Sequence, residues 1–555
     1  MTFKTDPIEN MEQVISETGG FAKVSWIDKM KNIILTLSIL LAFITDAFPD
    51  THYMPSQCSN LAACFSTMSS GDILEIANGT YTGSSNAITQ SQQPPSGSAG
   101  AYTTIRAATP GGVIIDGQNS VNLMEPYNVT HTLSYINFDG IQWVRSTNDF
   151  GITGSSHTNR TVHHMKWTRC GFQSFFNISY NSYVLVEDCY VTGIGRYNFQ
   201  AFCTDHIIFR RCIARMDNGQ TGGDPFSNFV SYGSQNVEFQ NCIVIDTDSN
   251  YSSGAIYGMY GGIYFRKTYS DVSPQESDTN NAQRGCILLN CKIRPNMGSF
   301  GVAQAIGTGV QLTSENNIFY DLVNMMYWDN GSPSSLAMNH NTIGKATFSG
   351  SYSYGTTSGS SSVGSASNSI YANLSGTAIY LMQSSTYNAF YGNGTDKSSV
   401  GSSSNDITGT NPFTNHLKYL PRIENYAGLD GSDGKKRGAE VLWRYGVDGS
   451  MYGDTGYATL RNSSNGYGGD PDKLWPWPYE STVKTFFLNY GTGGSNPPNA
   501  RGFTTGTSMD GSSQTLTKYI WEYLGNQIPN NIYGGSPPAA PTHLSLTISS
   551  GGTIH

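Results

Sequence analysis

The stretch VLVEDC at residues 184–189 recurs along this chain in recognisable copies. Other copies are HMKWTRC at 164–170, IIFRRC at 207–212, VEFQNC at 237–242 and CILLNC at 286–291. Each has a hydrophobic residue or cysteine five and three positions before its final cysteine, and a polar residue immediately before it. This alternation is typical of a short β-strand that ends in a turn.

The same pattern continues with asparagine in the place of cysteine. LTSENN at 312–317 and LAMNHN at 336–341 are clear copies, and VGSASN at 363–368 is a weaker one. From residue 170 to residue 368 the successive intervals are 19, 23, 30, 49, 26, 24 and 27 residues. We interpret the longest interval as two coils, with GIYFR at 262–266 as the strand between them. A period of this length with short alternating strands predicts a β-solenoid.

In such a solenoid identical positions of successive coils stack in columns. The sequence therefore predicts an all-β, single-stranded parallel β-helix over residues 48–430, with coils of about 24 residues. The cysteine column is expected to be buried as free thiols, and the asparagine side chains to bond neighbouring backbone. Cys58 and Cys64, six residues apart in the first segment, could instead close a small disulfide loop. The short stretch 60–68 is expected to form a helix that caps the first coil.

The opening coils carry a family resemblance. GDILEIANGTYTG at 71–83 and TTIRAATPGGVIIDG at 103–117 look like the first coils of the pectin-lyase-like superfamily, and within it of the chondroitinase B and alginate lyase type. The likeness covers roughly residues 66–400. It implies a right-handed parallel β-helix that is secreted and acts on polysaccharide.

Composition and the chain start agree with an extracellular protein. Charged residues are 13% of the chain, the net charge is -9 and no basic stripe is present, so nucleic acid is not an expected partner. Residues 30–47 have the polar start, apolar run and small residues of a signal peptide, and 1–29 are a doubtful extension before it. We expect no stable membrane insertion after cleavage. The oligomeric state is not predicted.

The aromatic-rich segment after the solenoid has two interpretations. Residues 431–535 are expected to form a C-terminal cap region over the last coil, because an uncovered coil exposes core and strand edges. Alternatively, Trp475, Trp477 and Tyr479 could form a platform on which sugar rings stack. Residues 536–555 are a Pro/Ser/Gly-rich tail.

Candidate site residues cluster in the middle coils. A lyase that acts on uronates needs a base and a cation that stabilises the developing negative charge, and the resemblance implies a lysine and an arginine on neighbouring coils. The family's catalytic motif is not found around the residues that could supply them. The catalytic candidates are Lys267, Arg266, Arg284 and Arg215, and the substrate-binding candidates are Asp217, Asp224, Tyr257, Tyr260 and Tyr264.

Metal binding is only weakly indicated. Calcium is a possible cofactor, and DTDSN at 246–250 could supply oxygen ligands. His163 and His164 are not expected to bind one ion, because adjacent strand residues point to opposite faces. The sequence thus predicts a secreted protein that acts on or binds polysaccharide, with a lyase on uronate polymers as the specific candidate. The alternative is a non-catalytic cell-surface or matrix protein that binds glycans.

Overall fold

The computed structural model describes most of the chain from residue 49 onwards. The described residues are 49–125, 130–156, 158–193, 197–217, 226–246, 259–266, 277–291, 302–307, 309–322, 324–329, 333–346, 354–412, 428–491, 501–525, 528–529 and 532–533. The predicted signal segment and the tail lie outside them.

Three parallel sheets run along the solenoid. Within each sheet, neighbouring strands come from successive coils. Sheet 1 comprises Thr51–Met54, Ile73–Ile76, Thr103–Ala107, Leu133–Asp139, Val162–Thr168, Asn181–Glu187, Asp205–Arg210, Gln235–Gln240, Asn281–Arg284, Gln311–Glu315, Ser335–Asn339, Tyr354–Thr357, Ser365–Ser367, Thr377–Thr386 and Thr395–Ser404. Sheet 2 comprises Gly79–Thr82, Val113–Asp116, Ile141–Val144, Gly171–Gln173, Tyr190–Gly193, Ile213–Met216, Ile243–Ile245, Ile287–Leu289, Ile318–Leu322, Thr342–Ala346, Ile370–Leu374, Ala389–Tyr391 and Ile407–Thr408. Sheet 3 comprises Phe150–Thr153, Phe176–Ser179, Tyr197–Phe202, Phe226–Tyr232, Met259–Arg266, Val302–Gly307 and Asn324–Asp329.

The predicted cysteine column exists, with one change of register. Ile243 pairs with Ile213 on one side and with Ile287 on the other, so the residue before each strand occupies the column. Cys286 therefore continues the column, whereas the repeat pattern predicts Cys291 at that place. The alternation of CILLNC allows either Cys286 or Cys291 as the column residue, and the pairing of Ile287 with Ile243 selects Cys286. All seven cysteines outside the disulfide are buried and free.

The interpretation of the longest interval as two coils is wrong. Met259–Arg266 pairs with Phe226–Tyr232 in sheet 3, so it is the third strand of the coil that begins at Gln235. The interval is therefore one coil lengthened by insertions.

Asparagine continues the column at 317 and 341 as predicted, but Ser369 takes the place predicted for Asn368, because Ile370 pairs with Thr342. The Oδ1 atom of Asn317 accepts a hydrogen bond from the Cys286 backbone at 2.8 Å, and that of Asn341 accepts one from the Asn317 backbone at 2.9 Å. Each amide thus connects one coil to the next and satisfies a backbone donor inside the core.

The corner between sheets 1 and 2 has a left-handed residue in nearly every coil, which turns the chain sharply after each sheet 1 strand. φ lies between 50° and 74° at Gly140, Arg169, Asp188, Arg211, Asn241, Gly285, Asn316, His340 and Asn368. Asparagine, aspartate and glycine adopt this conformation most readily, which explains why polar residues recur immediately before the column.

The N-terminal end is covered as expected. Helix α1, Leu61–Phe65, buries Leu61, Cys64 and Phe65 against the first coil, and Asn60 caps its start. Cys58 and Cys64 form a disulfide with a Cα–Cα distance of 5.1 Å. The disulfide alternative for these two residues is therefore confirmed.

The C-terminal region follows the solenoid and covers the outer face of sheet 2. Helices α2, Glu480–Tyr490, and α3, Leu516–Tyr523, pack against the outer face of sheet 2. The residues buried in this interface include Tyr190, Ile213, Ile243, Ile287 and Ile318 from the sheet and Phe486, Phe487, Phe503, Trp475, Trp477 and Trp521 from the C-terminal region. The outer face of sheet 2 is itself strongly apolar and needs a cover along its length, which these residues supply.

None of the described helices has the length and apolar character needed to cross a membrane.

Candidate functional site

The predicted catalytic arginines lie on three different sheets. Arg215 belongs to sheet 2, Arg266 ends a strand of sheet 3 and Arg284 ends a strand of sheet 1. The sequence grouped them because they are close along the chain, but one coil carries residues to all three faces of the solenoid. They do not form one cluster, and their catalytic role stays a prediction.

Arg215 and Asp217 are buried beneath the C-terminal region. The Arg215 Nε atom is 2.7 Å from the Asp217 carboxylate, which also lies 2.8 Å from Arg501. The Arg215 guanidinium lies over the Phe487 ring at 4.8 Å. This arrangement holds the C-terminal region against sheet 2, and neither residue lines an open surface.

Arg266 and Tyr264 are also largely enclosed. Arg266 is 7% exposed and its guanidinium lies 4.6 Å from the centre of the Tyr232 ring. Tyr264 is fully buried in a cluster with Phe175, Tyr197 and Val230. The Tyr264 ring is therefore not available to stack on a sugar.

Arg284 is the most accessible of the three arginines, with 21% of its side chain exposed. It lies 3.4 Å from Glu238 and also forms an ion pair with Glu315. Lys267, Asp224, Tyr257 and residues 247–250 lie outside the described residues, as does the side chain of Tyr260.

What the structure does assemble is a strip of rings on the outer face of sheet 1. We call Tyr135, His164, Tyr183 and His206 the sheet 1 strip. They come from four successive coils, and their ring centres are 4.6, 4.8 and 4.5 Å apart in stacked geometry. All four are partly exposed. Because the ring faces stack on one another, the strip presents ring edges, with hydroxyls and imidazole nitrogens.

Backbone conformation creates this strip. φ is 55°, 53°, 52° and 61° at its four residues, so each strand bends at the same position and the strict alternation of faces is broken there. His163 and His164 consequently lie on the same side, with their Nδ1 atoms 2.9 Å apart. The expectation that they point to opposite faces is wrong, and regular strand geometry was the assumption that failed.

A cation and further tyrosines border the strip. Lys166 lies 4.9 Å above the Tyr102 ring and donates a hydrogen bond to the Gly449 carbonyl at 2.8 Å. Tyr102 is 5.5 Å from the Tyr135 ring, and Tyr452 is 4.9 Å from the His206 ring. The C-terminal region therefore forms one edge of the strip.

Partial burial determines the charge of the two histidines. Burial lowers the pKa of His163, and burial together with the neighbouring His163 lowers the pKa of His164. Both imidazoles are therefore neutral at pH 7, and one nitrogen of the pair can accept a proton. Burial also lowers the pKa of Lys166 and raises that of Tyr102 to about 12.

Within the described part of the chain, no three histidine, cysteine, aspartate or glutamate side chains are grouped as metal ligands. Asp246, the first residue of the predicted calcium segment, instead accepts hydrogen bonds from Asn290 at 2.9 Å and Tyr519 at 2.7 Å.

The tryptophan platform is not observed. Trp475 and Trp477 are each 3% exposed and pack into the interface with sheet 2, while Tyr479 is 40% exposed beside Arg169. These two tryptophans are instead part of the packed C-terminal region.

These features define a parallel β-helix. Residues 56–220 match the family model described as Chondroitinase B. No curated protein sequence matches the chain.

Similar solved structures include an alginate lyase, 11% identical, covering 71% of this chain and 91% of its own, with a TM-score of 0.40. A PL6 family polysaccharide lyase from Pseudopedobacter saltans is 10% identical over 70% of this chain and 99% of its own, with a TM-score of 0.36. The A-module of a mannuronan C-5 epimerase from Azotobacter vinelandii is 11% identical over 61% of this chain and 91% of its own, with a TM-score of 0.37.

Proposed function

We propose that this protein is secreted and acts on a uronate-containing polysaccharide that lies across the outer face of sheet 1, over the sheet 1 strip. The observation that carries the proposal is the place of the strip residues along the chain. The match to the Chondroitinase B family model covers residues 56–220, and all four strip residues, together with His163 and Lys166, fall within that segment.

The chemistry of the strip suits β-elimination. A neutral imidazole of the His163–His164 pair takes the proton from the sugar carbon next to the carboxylate. The bond from the neighbouring ring carbon to the glycosidic oxygen breaks, a carbon–carbon double bond forms, and a tyrosine hydroxyl returns a proton to the departing oxygen. Lys166 lies on the same strand as the pair and would offset part of the charge that develops on the carboxylate.

The test is a lyase assay on the full secreted chain. Alginate, pectate, chondroitin sulfate and a heparin-like polymer are incubated separately, with calcium and with a chelator, and the ultraviolet absorbance of unsaturated product is followed. We expect one polymer to give product and His164→Gln to lower the rate about 100-fold, as loss of a general base does.

His52→Gln is the matched control. His52 is also partly exposed and hydrogen-bonded, to Asp72 at 3.0 Å, but lies in the first coil away from the strip. We expect its activity to equal that of the wild type. If Lys267→Ala or Arg284→Ala abolishes product while His164→Gln does not, the reaction takes place at the residues predicted from the sequence, and the strip assignment fails.

A second candidate function is non-catalytic glycan binding. It is favoured by the engagement of Arg215 and Arg284 with carboxylates and by the mutual stacking of the strip rings. No absorbance change on any polymer, combined with retention of the protein on an immobilised glycan, would support this candidate over the lyase.

A further inference from the structure

A cavity of about 430 Å³ lies in the C-terminal region. Its lining includes three tryptophans, Trp443, Trp475 and Trp521, with Asp470 and Lys473 also contributing. The remaining lining residues are apolar: Leu442, Pro476, Pro529 and Ile532. The volume is within the usual range for small-molecule sites.

The walls of the cavity are held by backbone pairing. Trp443 and Lys473 form an antiparallel bridge, and the Leu474 backbone donates to the Leu442 carbonyl at 2.9 Å. Trp475 donates its Nε1–H to the Val441 carbonyl at 2.9 Å, which orients that ring. Trp475 and Trp521 meet edge to face, with ring centres 6.3 Å apart. The cavity is therefore built on secondary structure and paired side chains.

One polar group of the lining has no partner within the described part of the chain. Trp521 is 2% exposed, and its Nε1 atom is buried without a hydrogen-bond acceptor there. Buried tryptophan N–H groups usually find an acceptor, so this donor suggests that a ligand oxygen completes the site.

The polar residues differ from those of the sheet 1 strip. Lys473 and Asp470 lie 2.7 Å apart, with 47% and 92% of their side chains exposed. Their charges offset each other, so the site offers a donor and an acceptor without a net charge. An anionic ligand would have to compete with Asp470 for Lys473.

We propose that this cavity binds a neutral hexopyranose unit of a glycan, at a site separate from the sheet 1 strip. The apolar C–H face of the sugar packs on the partly exposed Trp443 ring, and its hydroxyl oxygens accept from Trp521 and meet Lys473 and Asp470. The inference rests on the lining of the cavity and does not require the strip to be catalytic.

The experiment is a tryptophan-fluorescence titration of the full chain with neutral oligosaccharides of glucose, mannose, galactose and xylose, and with uronate oligosaccharides and choline chloride for comparison. We expect a saturable change with a neutral hexose oligosaccharide and none with choline. Trp443→Ala should raise Kd about tenfold, since it removes one stacking surface at a partly exposed position. Trp521→Phe, which keeps a ring but deletes the N–H, should also weaken binding.

Tyr479→Ala is the matched control, because Tyr479 is an exposed aromatic residue of the same region that does not line the cavity. Its Kd should equal that of the wild type, and so should that of His164→Gln, which separates this site from the proposed lyase site. The inference is overturned if no neutral oligosaccharide gives saturable binding, if choline saturates the cavity instead, or if Trp443→Ala binds as tightly as the wild type with unchanged circular dichroism.

Discussion

At the scale of single residues, Arg210 is the most fully engaged charge on the outer face of sheet 1. It is completely buried, and it donates to Gln240 at 2.8 Å and to Glu187 at 2.9 Å. It also donates to the carbonyls of Val447 and Tyr457, both at 2.9 Å. Arg210 thus connects three coils of the solenoid to the C-terminal region.

We expect Arg210→Met to lower the free energy of unfolding by about 3–5 kcal/mol, because it leaves a buried Glu187 without one of its cationic partners. Denaturant unfolding followed by circular dichroism measures this change. Arg106→Met is the control: Arg106 pairs with Glu75 at 2.7 Å, but both side chains are substantially exposed, so the loss should be at most about 1 kcal/mol. Equal losses in the two variants would contradict the role assigned to burial.

The sequence marks Arg215, Arg266 and Arg284 as candidate site residues, whereas Arg210 is only one polar position of the repeat copy IIFRRC. The repeat pattern shows that a residue points outward. It does not show whether solvent or another segment of the chain lies against that residue. Only the contact with residues 447–457 distinguishes Arg210 from a surface arginine.

At the scale of elements, the cysteine column is chemically protected. Burial raises the pKa of Cys189, Cys212 and Cys242 in the column well above its usual value, and it raises the pKa of Cys203, which lies outside the column, to about 12. The thiolate is the reactive form, so these cysteines should be inert in the folded protein.

We therefore expect Ellman's reagent to label none of the seven free cysteines in the native protein at mildly alkaline pH, and all seven after addition of guanidinium chloride. The shifted thiol pKa values also make the stability of the folded protein depend on pH. Folding disfavours the thiolate, so this stability is fully present below the unfolded pKa of about 8.5 and is lost as the pH rises above it. Rapid labelling of several of Cys170, Cys189, Cys212, Cys242 and Cys286 in the native protein would show that the column is open to the reagent.

The His163–His164 pair predicts an opposite dependence at acid pH. Because burial lowers both pKa values, the unfolded chain binds protons more readily than the folded chain below about pH 6.5. Stability contributed by the neutral pair is thus present above that pH and is lost as the pH falls. The urea midpoint of the wild type should fall between neutral and acidic pH. In the double variant His163→Gln/His164→Gln this fall should be smaller. An unchanged acid dependence in this variant would contradict the prediction.

At the scale of the whole molecule, the C-terminal region is part of the folding unit and not an accessory to it. It covers Ile213, Ile243, Ile287 and Ile318, which form a continuous apolar stripe on the outer face of sheet 2. Large exposed stripes of this kind drive association.

Deletion of residues 428–555 should therefore yield a protein that elutes as aggregates in size-exclusion chromatography. Deletion of 534–555 alone is the control and should leave the elution volume of the wild type. A monomeric, folded product from the longer deletion would mean that the solenoid is stable without its lateral cover.

The amino-acid sequence alone determined the repeat, the parallel solenoid and the buried columns of cysteine and asparagine. These depend on local alternation and on stacking between successive coils, which are written into each repeat. It also identified the disulfide candidates Cys58 and Cys64 and the cap helix beside them.

Tertiary structure decided which outer faces are covered and which polar residues meet. It placed Cys286 in the column, distributed Arg215, Arg266 and Arg284 over three sheets, and brought His163 and His164 together. The reason is that outward residues carry no local signal of their neighbours, whereas insertion lengths, left-handed backbone positions and the docking of residues 428–533 determine those neighbours.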